Sequence, residues 1–218
     1  MAKTTVPDPS GNPAPDDERT DSPRGTPDAR SALVGERIVL TGGPGGGKSA
    51  VLEVLRWHFD RAFGFLPEAA SIVFGGGFPR RPTLEHRRAA QRAIYHVQRE
   101  LESLAEEPGW PRRTLCDRGT LDGVAYWPED EASYFRALGT SREAELSRYA
   151  TVIHLRTPDA AHGYDHSNPL RTESAEEAAR IDERIFDVWR GHPRRLVVAN
   201  HREFLEKARE VVDIVRAL

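Results

Sequence analysis

The chain has 218 residues and a formal net charge of −3 at pH 7, from 31 basic and 34 acidic side chains. Because the basic residues are dispersed among nearly as many acids, the composition does not predict binding to nucleic acid or to an anionic membrane. The single cysteine, Cys116, excludes an internal disulfide, and no apolar run approaches the ~18 residues of a membrane span. The length suits one α/β domain. We expect a cytoplasmic protein whose oligomeric state is open, with a homodimer as one option.

Residues 1–32 differ in composition from the rest of the chain. They are rich in Pro, Asp, Ser, Thr and Gly and contain few large apolar side chains. Such a segment cannot bury enough apolar surface to offset the entropy lost on ordering. We therefore predict a disordered tail over residues 1–32 and a folded domain over residues 33–218.

Strands and helices alternate along the predicted domain. Short apolar runs of strand type occur at residues 37–41, 63–66, 114–117, 151–155 and 196–199. Helical patterns follow them at about residues 50–61, 67–74, 83–107, 119–126, 131–148, 173–190 and 201–217. This alternation predicts a mostly parallel sheet covered by helices on both faces. Ligands of such sheets bind at the carboxyl ends of the strands.

The longest predicted helix, residues 83–107, has Thr83 as its expected N-cap. Its apolar residues recur at helical spacing, which is typical of the face that a helix turns toward the core. The predicted buried stripe consists of Ala90, Ile94, Val97, Leu101 and Leu104.

The stretch between the first strand and the first helix fits the pattern G-x-x-x-x-G-K-[ST]. It reads Gly42-Gly43-Pro44-Gly45-Gly46-Gly47-Lys48-Ser49. Glycines let the backbone turn its N–H groups toward phosphate oxygens at the positive end of the following helix. Lys48 then reaches the β and γ phosphates, and the Ser49 hydroxyl ligates Mg²⁺. Only three of the 31 basic residues are lysines, so Lys48 is no accident of composition. The sequence predicts a nucleoside triphosphate site.

Three charged residues at strand ends are candidates for the chemistry beside this loop. Asp117 ends the third strand, where a carboxylate can hold Mg²⁺ or accept a proton from an acceptor hydroxyl. Arg118 follows it and could bridge phosphates. Glu68 follows the second strand, where it could be the general base or simply an acid favoured in the first turn of a helix.

Two further arginines are candidates for contacts to the nucleotide. Arg156 follows the fourth strand, and Arg171 lies in a polar loop before the helix at 173–190. A transferring phosphoryl group carries spread negative charge, which arginines on a mobile cover can compensate. We predict that Arg171 acts as a lid arginine and that Arg156 contacts the nucleotide.

Several short motifs together resemble one P-loop family. They are GGPGGGKS (42–49), LPEAA (66–70), CDRG (116–119), the polar loop 164–168, NPLRTE (168–173) and the later His192-Pro193. The family is named for AAA-type ATPases but is closer to nucleoside and nucleotide kinases, and it includes the TRPL translocation defect protein. The resemblance covers about residues 37–215.

This resemblance implies a P-loop, kinase-like fold with a lid and assigns positions within it. Asp117 and Arg118 match the acid–arginine pair that follows the third strand of nucleoside kinases. Arg156 closes a stretch similar to their "YLRT" motif, with His154 in place of Tyr. Arg171 falls where their lid begins, and Glu68 matches an acid with a base or metal-organising role.

Two functions follow from these observations. The first is a kinase that moves the γ-phosphoryl group of ATP, or GTP, with Mg²⁺ to an unidentified small-molecule acceptor. The second is a nucleotide-dependent switch or slow NTPase without an acceptor, as the resemblance to the TRPL protein suggests. A regulatory GTPase should carry N/T-K-x-D for guanine, yet none of the three lysines has Asp two residues on. This absence favours the kinase.

Overall fold

Five parallel strands form one sheet in the order β2-β3-β1-β4-β5. The computed structural model describes residues 35–157, 174–201 and 203–218, so the predicted tail and Arg171 lie outside the described residues. The strands are β1 (Glu36–Thr41), β2 (Gly64–Leu66), β3 (Arg113–Asp117), β4 (Thr151–Leu155) and β5 (Arg195–Val198). Each begins and ends within one residue of its predicted run, which confirms the parallel α/β sheet.

Eight α-helices connect and cover these strands within the described ranges. They are α1 (Lys48–Phe59), α2 (Ala69–Gly75), α3 (Leu84–Leu104), α4 (Asp122–Tyr126), α5 (Glu131–Leu138), α6 (Arg142–Leu146), α7 (Ala175–Val188) and α8 (Phe204–Ala217). None of the helices described is both long enough and apolar enough to cross a membrane.

The core consists of two apolar layers, one on each face of the sheet. Alternate residues of β1 point to opposite faces, so Ile38 and Leu40 join the layer under α1 and α8. Val39 joins the other layer, which includes Ile185 of α7 and Trp189, the residue that follows this helix. Burying an aliphatic side chain of this size contributes about 1.5–3 kcal/mol. The two layers hold the carboxyl ends of β1, β3 and β4 side by side.

The buried stripe of α3 is polar, which corrects the prediction made for this helix. Ala90 is buried as expected, but Leu104 is 58% exposed. The other buried positions of this helix are Gln91, Tyr95, Gln98 and Glu102. Tyr95, Gln98 and Glu102 have partners inside the protein; Gln98 Nε2, for example, donates to Glu102 Oε1 at 2.9 Å. Ile94, Val97 and Leu101 are half-buried, so the most buried face lies next to the predicted stripe. Apolar spacing missed it because hydrogen-bonded polar side chains can occupy a core.

Candidate active site

The phosphate loop joins β1 to α1, and three of its glycines, Gly42, Gly45 and Gly47, have backbone conformations that other residues rarely adopt. Gly42 has φ 134°, and a Cβ atom there would lie 2.1 Å from the Leu155 carbonyl oxygen. Gly47 has φ 85° and is the N-cap of α1. These glycines bring the loop against the end of β4 and leave the N-terminus of α1 open to an anion.

The side chain of Lys48 is buried against the phosphate loop. Its Nζ atom donates to the carbonyl oxygens of Gly42 at 2.9 Å and Gly43 at 2.7 Å. Burial and the nearby Arg118 guanidinium lower the pKa of Lys48 to about 7. A phosphate would add negative charge here and favour the ammonium form.

Asp117 and Ser49 offer the oxygen atoms that a Mg²⁺ ion would need. Ser49 lies in the first turn of α1, and Asp117 ends β3 beside the loop. Asp117 Oδ1 is buried without a hydrogen-bond partner in the described structure. Burial and the Glu68 carboxylate raise the pKa of Asp117 to about 6. Mg²⁺ usually takes one or two protein carboxylates, substrate phosphates and water, so this donor set fits it.

A metal site made of protein ligands alone is not present in the part of the chain that the structure describes. No group of three or more His, Cys, Asp or Glu side chains there could hold an ion. A cation at Asp117 and Ser49 would therefore depend on nucleotide phosphates and water for its remaining ligands.

Arg118 connects Glu68, the phosphate loop and the start of α4. Its Nε donates to Glu68 Oε1 at 2.6 Å, and one terminal nitrogen donates to the Gly42 carbonyl oxygen at 3.1 Å and to Asp122 Oδ2 at 3.0 Å. Arg118 also has φ 72°, which is rare for a residue with a side chain. The predicted neighbours Glu68, Asp117 and Arg118 are thus brought together, while the predicted contact of Arg118 with phosphates stays a prediction.

Glu68 and Asp117 have opposite pKa shifts. Burial alone would raise the pKa of Glu68, but the Arg118 guanidinium and a hydrogen bond from Ser71 lower it to about 2. Environments that separate two carboxylates in this way assign them different tasks. The geometry makes Glu68 a permanent partner of Arg118 and leaves Asp117 as the carboxylate that can exchange a proton near neutral pH.

Asp122 is a functional candidate that the sequence analysis missed. Its carboxylate accepts hydrogen bonds from Thr41 Oγ1 at 2.7 Å and Trp189 Nε1 at 2.6 Å, besides Arg118. It therefore links the end of β1, Arg118 and the residue that follows α7. No local pattern signals this role, because Thr41 lies 81 residues away in the sequence.

The contacts predicted between two arginines and the nucleotide both stay predictions. Arg156 follows β4, and its guanidinium pairs with Asp182 at 3.2 Å and with Glu183, both on α7. It does not line the cavity described below, so its predicted contact with the nucleotide stays a prediction. Arg171 lies outside the described residues.

A cavity of about 1040 Å³ runs along the carboxyl ends of the strands. One half is lined by the phosphate loop and the first residues of α8. The other half, which we call the acceptor chamber, is lined by side chains of α3, of the α2–α3 loop and of α4 and α5. Its main polar and aromatic lining residues are Arg81, Arg87, Gln91, Tyr95, Tyr126 and Tyr134. Glu68 and Arg118 lie where the two halves meet.

Gln91 and Lys207 line this cavity, and sequence reasoning assigned neither of them. Gln91 is 9% exposed, and its carboxamide makes no hydrogen bond within the described ranges. Lys207 donates to the Arg156 carbonyl oxygen at 2.7 Å, and burial lowers its pKa to about 8. The scarcity of lysine that singled out Lys48 could also have drawn attention to Lys207.

The sequence matches a family model over most of the domain. The match covers residues 37–207, and the model is described as an AAA domain. The chain belongs to this P-loop NTPase family. A comparison with curated proteins finds no match. Membership confirms the predicted resemblance to AAA-type P-loop proteins, while the relation to the TRPL translocation defect protein stays a prediction.

Solved structures with a similar fold include nucleoside and nucleotide kinases. Deoxyadenosine kinase from M. mycoides with bound dATP is 12% identical with a TM-score of 0.60, covering 83% of this chain and 99% of that one. Thymidylate kinase from Ehrlichia chaffeensis is 12% identical with a TM-score of 0.56, covering 83% and 98%. NadR in complex with NAD and AMP-PNP is 11% identical with a TM-score of 0.56, covering 84% of this chain and 49% of that one. These similarities confirm the predicted kinase-like α/β fold.

Proposed function

We propose that this AAA-domain protein transfers the γ-phosphoryl group of ATP to a small-molecule acceptor, with Mg²⁺ as the metal. The observation that carries the proposal is the acceptor chamber beyond the phosphate loop. A switch or a simple NTPase needs room only for the nucleotide and a water molecule. Here the cavity also extends along α3, where the side chain of Gln91 lines it. A carboxamide on the cavity wall can donate to and accept from a ligand, which supports a second binding site there.

Each charged residue near the loop has a role in this proposal. The backbone N–H groups of the loop and Lys48 bind the phosphates. Ser49 and Asp117 hold Mg²⁺, which supplies charge neutralisation of the phosphates when bound. Asp117, holding Mg²⁺ through water, is also the candidate base for an acceptor hydroxyl, because Glu68 is already paired with Arg118. Arg171 compensates charge on the transferred group.

The chamber suggests what the acceptor looks like. A carboxamide such as Gln91 can both donate to and accept from a planar group with amide-like edges. Aromatic rings of Tyr126 and Tyr134 line the same space, and Arg81 and Arg87 add positive charge. Similar folds occur in a deoxyadenosine kinase and a thymidylate kinase. We infer a nucleoside or nucleotide as the acceptor class and a cytoplasmic site of action.

The decisive experiment measures ATP consumption by the purified protein with Mg²⁺, alone and with a panel of nucleosides, nucleoside monophosphates and other small alcohols. We expect one acceptor to raise consumption sharply and to yield a phosphorylated product of matching mass. Lys48→Ala is the matched negative control and should lose nucleotide binding. Slow consumption that no acceptor changes, despite tight nucleotide binding, would replace the kinase with an NTPase or a switch.

A further inference from the structure

A carboxylate of α7 accepts a hydrogen bond from the backbone of the phosphate loop. Asp182 Oδ1 accepts a hydrogen bond from the Gly43 backbone N–H at 2.7 Å and lies 3.0 Å from His154 Nε2. Because a carboxylate only accepts, Nε2 is the protonated nitrogen of that imidazole. Asp182 Oδ2 pairs with the Arg156 guanidinium at 3.2 Å. Asp182 is 2% exposed, so these partners account for its charge inside the protein.

Gly43 is also packed tightly against α7 and the end of β4. A Cβ atom at this position would lie 2.5 Å from Thr157 Oγ1, 2.7 Å from Asp182 Cβ and 3.0 Å from the Ala178 carbonyl oxygen. Only glycine therefore allows the Gly43 N–H to reach the carboxylate. The close packing and the hydrogen bond fix the same peptide group.

The Gly43 residue is bonded at both of its polar backbone atoms. Its N–H donates to Asp182, and its carbonyl oxygen accepts from Lys48 Nζ at 2.7 Å. A triphosphate would draw the Lys48 ammonium away from that carbonyl oxygen toward its own oxygens. The Gly43 N–H is already bonded to Asp182, so phosphate binding is left to Lys48 and the other N–H groups of the loop, and the contact can persist when Lys48 changes partner.

We propose that Asp182 is a positioning residue that fixes the phosphate loop at Gly43, both before and after the nucleotide binds. It touches neither nucleotide nor metal and acts through the loop backbone. The effect on nucleotide affinity rests on the proposed function, since it requires that the loop bind a nucleoside triphosphate. Preorganising the loop saves the entropy that would otherwise be lost on binding.

The first test uses the wild-type protein and amide hydrogen exchange resolved by residue. We expect the Gly43 amide to be protected without nucleotide and to change little when AMP-PNP is added with Mg²⁺. The amides of Gly45 and Gly47, which have no hydrogen-bond acceptor among the described residues, should gain protection only with AMP-PNP. A Gly43 amide that exchanges as fast as those of Gly45 and Gly47 in the free protein would overturn the proposal.

The second test compares substitutions that separate hydrogen bonding from charge. Asp182→Asn keeps an oxygen acceptor for the Gly43 N–H, whereas Asp182→Ala removes it. We expect Asp182→Ala to weaken AMP-PNP binding about tenfold or more and to expose the Gly43 amide. Asp182→Asn should stay within about threefold of wild type and keep the amide protected. Equal losses in the two variants would refute a role through Gly43.

The matched control is Glu183→Ala, which removes another partner of Arg156 from the next position of α7. It should change neither AMP-PNP affinity nor Gly43 protection, whereas an effect as large as that of Asp182→Ala would assign the phenotype to Arg156. If the wild-type protein binds no AMP-PNP, the proposed function fails, but Gly43 protection still reports on the Asp182 contact. If Asp182→Ala does not fold, the wild-type exchange pattern decides alone.

Discussion

Arg118 and Glu68 form an ion pair at 2.6 Å where the phosphate loop meets the acceptor chamber. The backbone of Arg118 lies in the left-handed region. This conformation costs about 1–3 kcal/mol and persists only where surrounding contacts hold it. Contacts with Gly42 and Asp122 hold it here. Glu68 is therefore committed to Arg118, and its charge acts on Asp117 from a fixed position.

Substituting Glu68 should shift the pH dependence that Asp117 imposes on phosphotransfer. Asp117 must be ionised to act, so kcat/KM should fall about tenfold per pH unit below about pH 6. Glu68 raises the pKa of Asp117 through like charge. Glu68→Gln should therefore move this acidic limb to lower pH, whatever it does to the maximum rate. Glu53→Gln on the exposed face of α1 is the control, and an unmoved limb in Glu68→Gln would contradict the assignment.

Asp117→Asn should abolish turnover with Mg²⁺ and yet stabilise the fold near neutral pH. The folded-state pKa of Asp117 is raised to about 6, so the ionised form disfavours folding. That penalty is absent below the unfolded pKa and is complete above about pH 6. We expect Asp117→Asn to raise the free energy of unfolding by about 1–3 kcal/mol at pH 8 and by little at pH 4. Denaturant unfolding at both pH values checks this, and equal stabilities at pH 8 would contradict it.

Nucleotide binding should take up a proton at Lys48. With a pKa of about 7, Lys48 is largely neutral at pH 8, and a triphosphate should restore its ammonium form. Affinity should then fall by up to about tenfold per pH unit above pH 7. Titration calorimetry at pH 8 in two buffers of different ionisation enthalpy measures the protons taken up.

Two substitutions assign this proton to Lys48 rather than to the other buried lysine. Lys48→Arg is charged at pH 8 with or without nucleotide and should lose most of the uptake. Lys207→Arg should keep it, although burial lowers the pKa of Lys207 to about 8. Uptake that disappears in Lys207→Arg and survives in Lys48→Arg would reverse the assignment.

The parts of the site that the sequence predicted are those encoded by neighbouring residues. The phosphate loop is a contiguous motif between a strand and a helix, and Asp117 directly follows an apolar run. The topology of parallel sheets then places both at one edge. For the same reason the strands were predicted to within one residue.

The residues that the sequence did not predict depend on partners far along the chain. Asp122 contacts Thr41 and Trp189, and Asp182 contacts Gly43 across 139 residues. Gln91 lies one position away from the apolar stripe that was expected to be buried in α3. Buried polar groups carry no periodic signal, since their burial is decided by tertiary hydrogen bonds.

Gln91→Leu should weaken binding of the acceptor without changing binding of ATP. Leucine has a similar volume but cannot bond an acceptor, so we expect the acceptor KM to rise about tenfold or more. The KM for ATP should stay unchanged, because Gln91 lies in the chamber and not at the phosphate loop. Glu100→Gln, on an exposed position of the same helix, is the control. Steady-state kinetics with the acceptor from the panel measures both constants. A change confined to the KM for ATP would contradict the assignment of the chamber to the acceptor.

Glu145 should matter for stability more than any charge on the surface of α6. It is 1% exposed and accepts hydrogen bonds from Tyr95 at 2.7 Å, Thr120 at 2.7 Å and Thr140 at 2.6 Å. Glu145→Ala would leave these hydroxyls without their acceptor and should lower the free energy of unfolding by about 3–5 kcal/mol. Its neighbour Glu143 is fully exposed, so Glu143→Ala should leave the Tm unchanged.

The position of Thr120 gives the Glu145 substitution a second expected result. Thr120 follows Arg118 by two residues, and its N–H and carbonyl oxygen are bonded to Tyr149 and Tyr134. Losing the Glu145 acceptor should loosen this loop and lower kcat at temperatures where the variant is still folded. Thermal unfolding followed by circular dichroism, with kcat measured at least 10 °C below each midpoint, separates the two effects. A variant with wild-type Tm would show that the network contributes no net stability, as happens when the cost of burying charge offsets its hydrogen bonds.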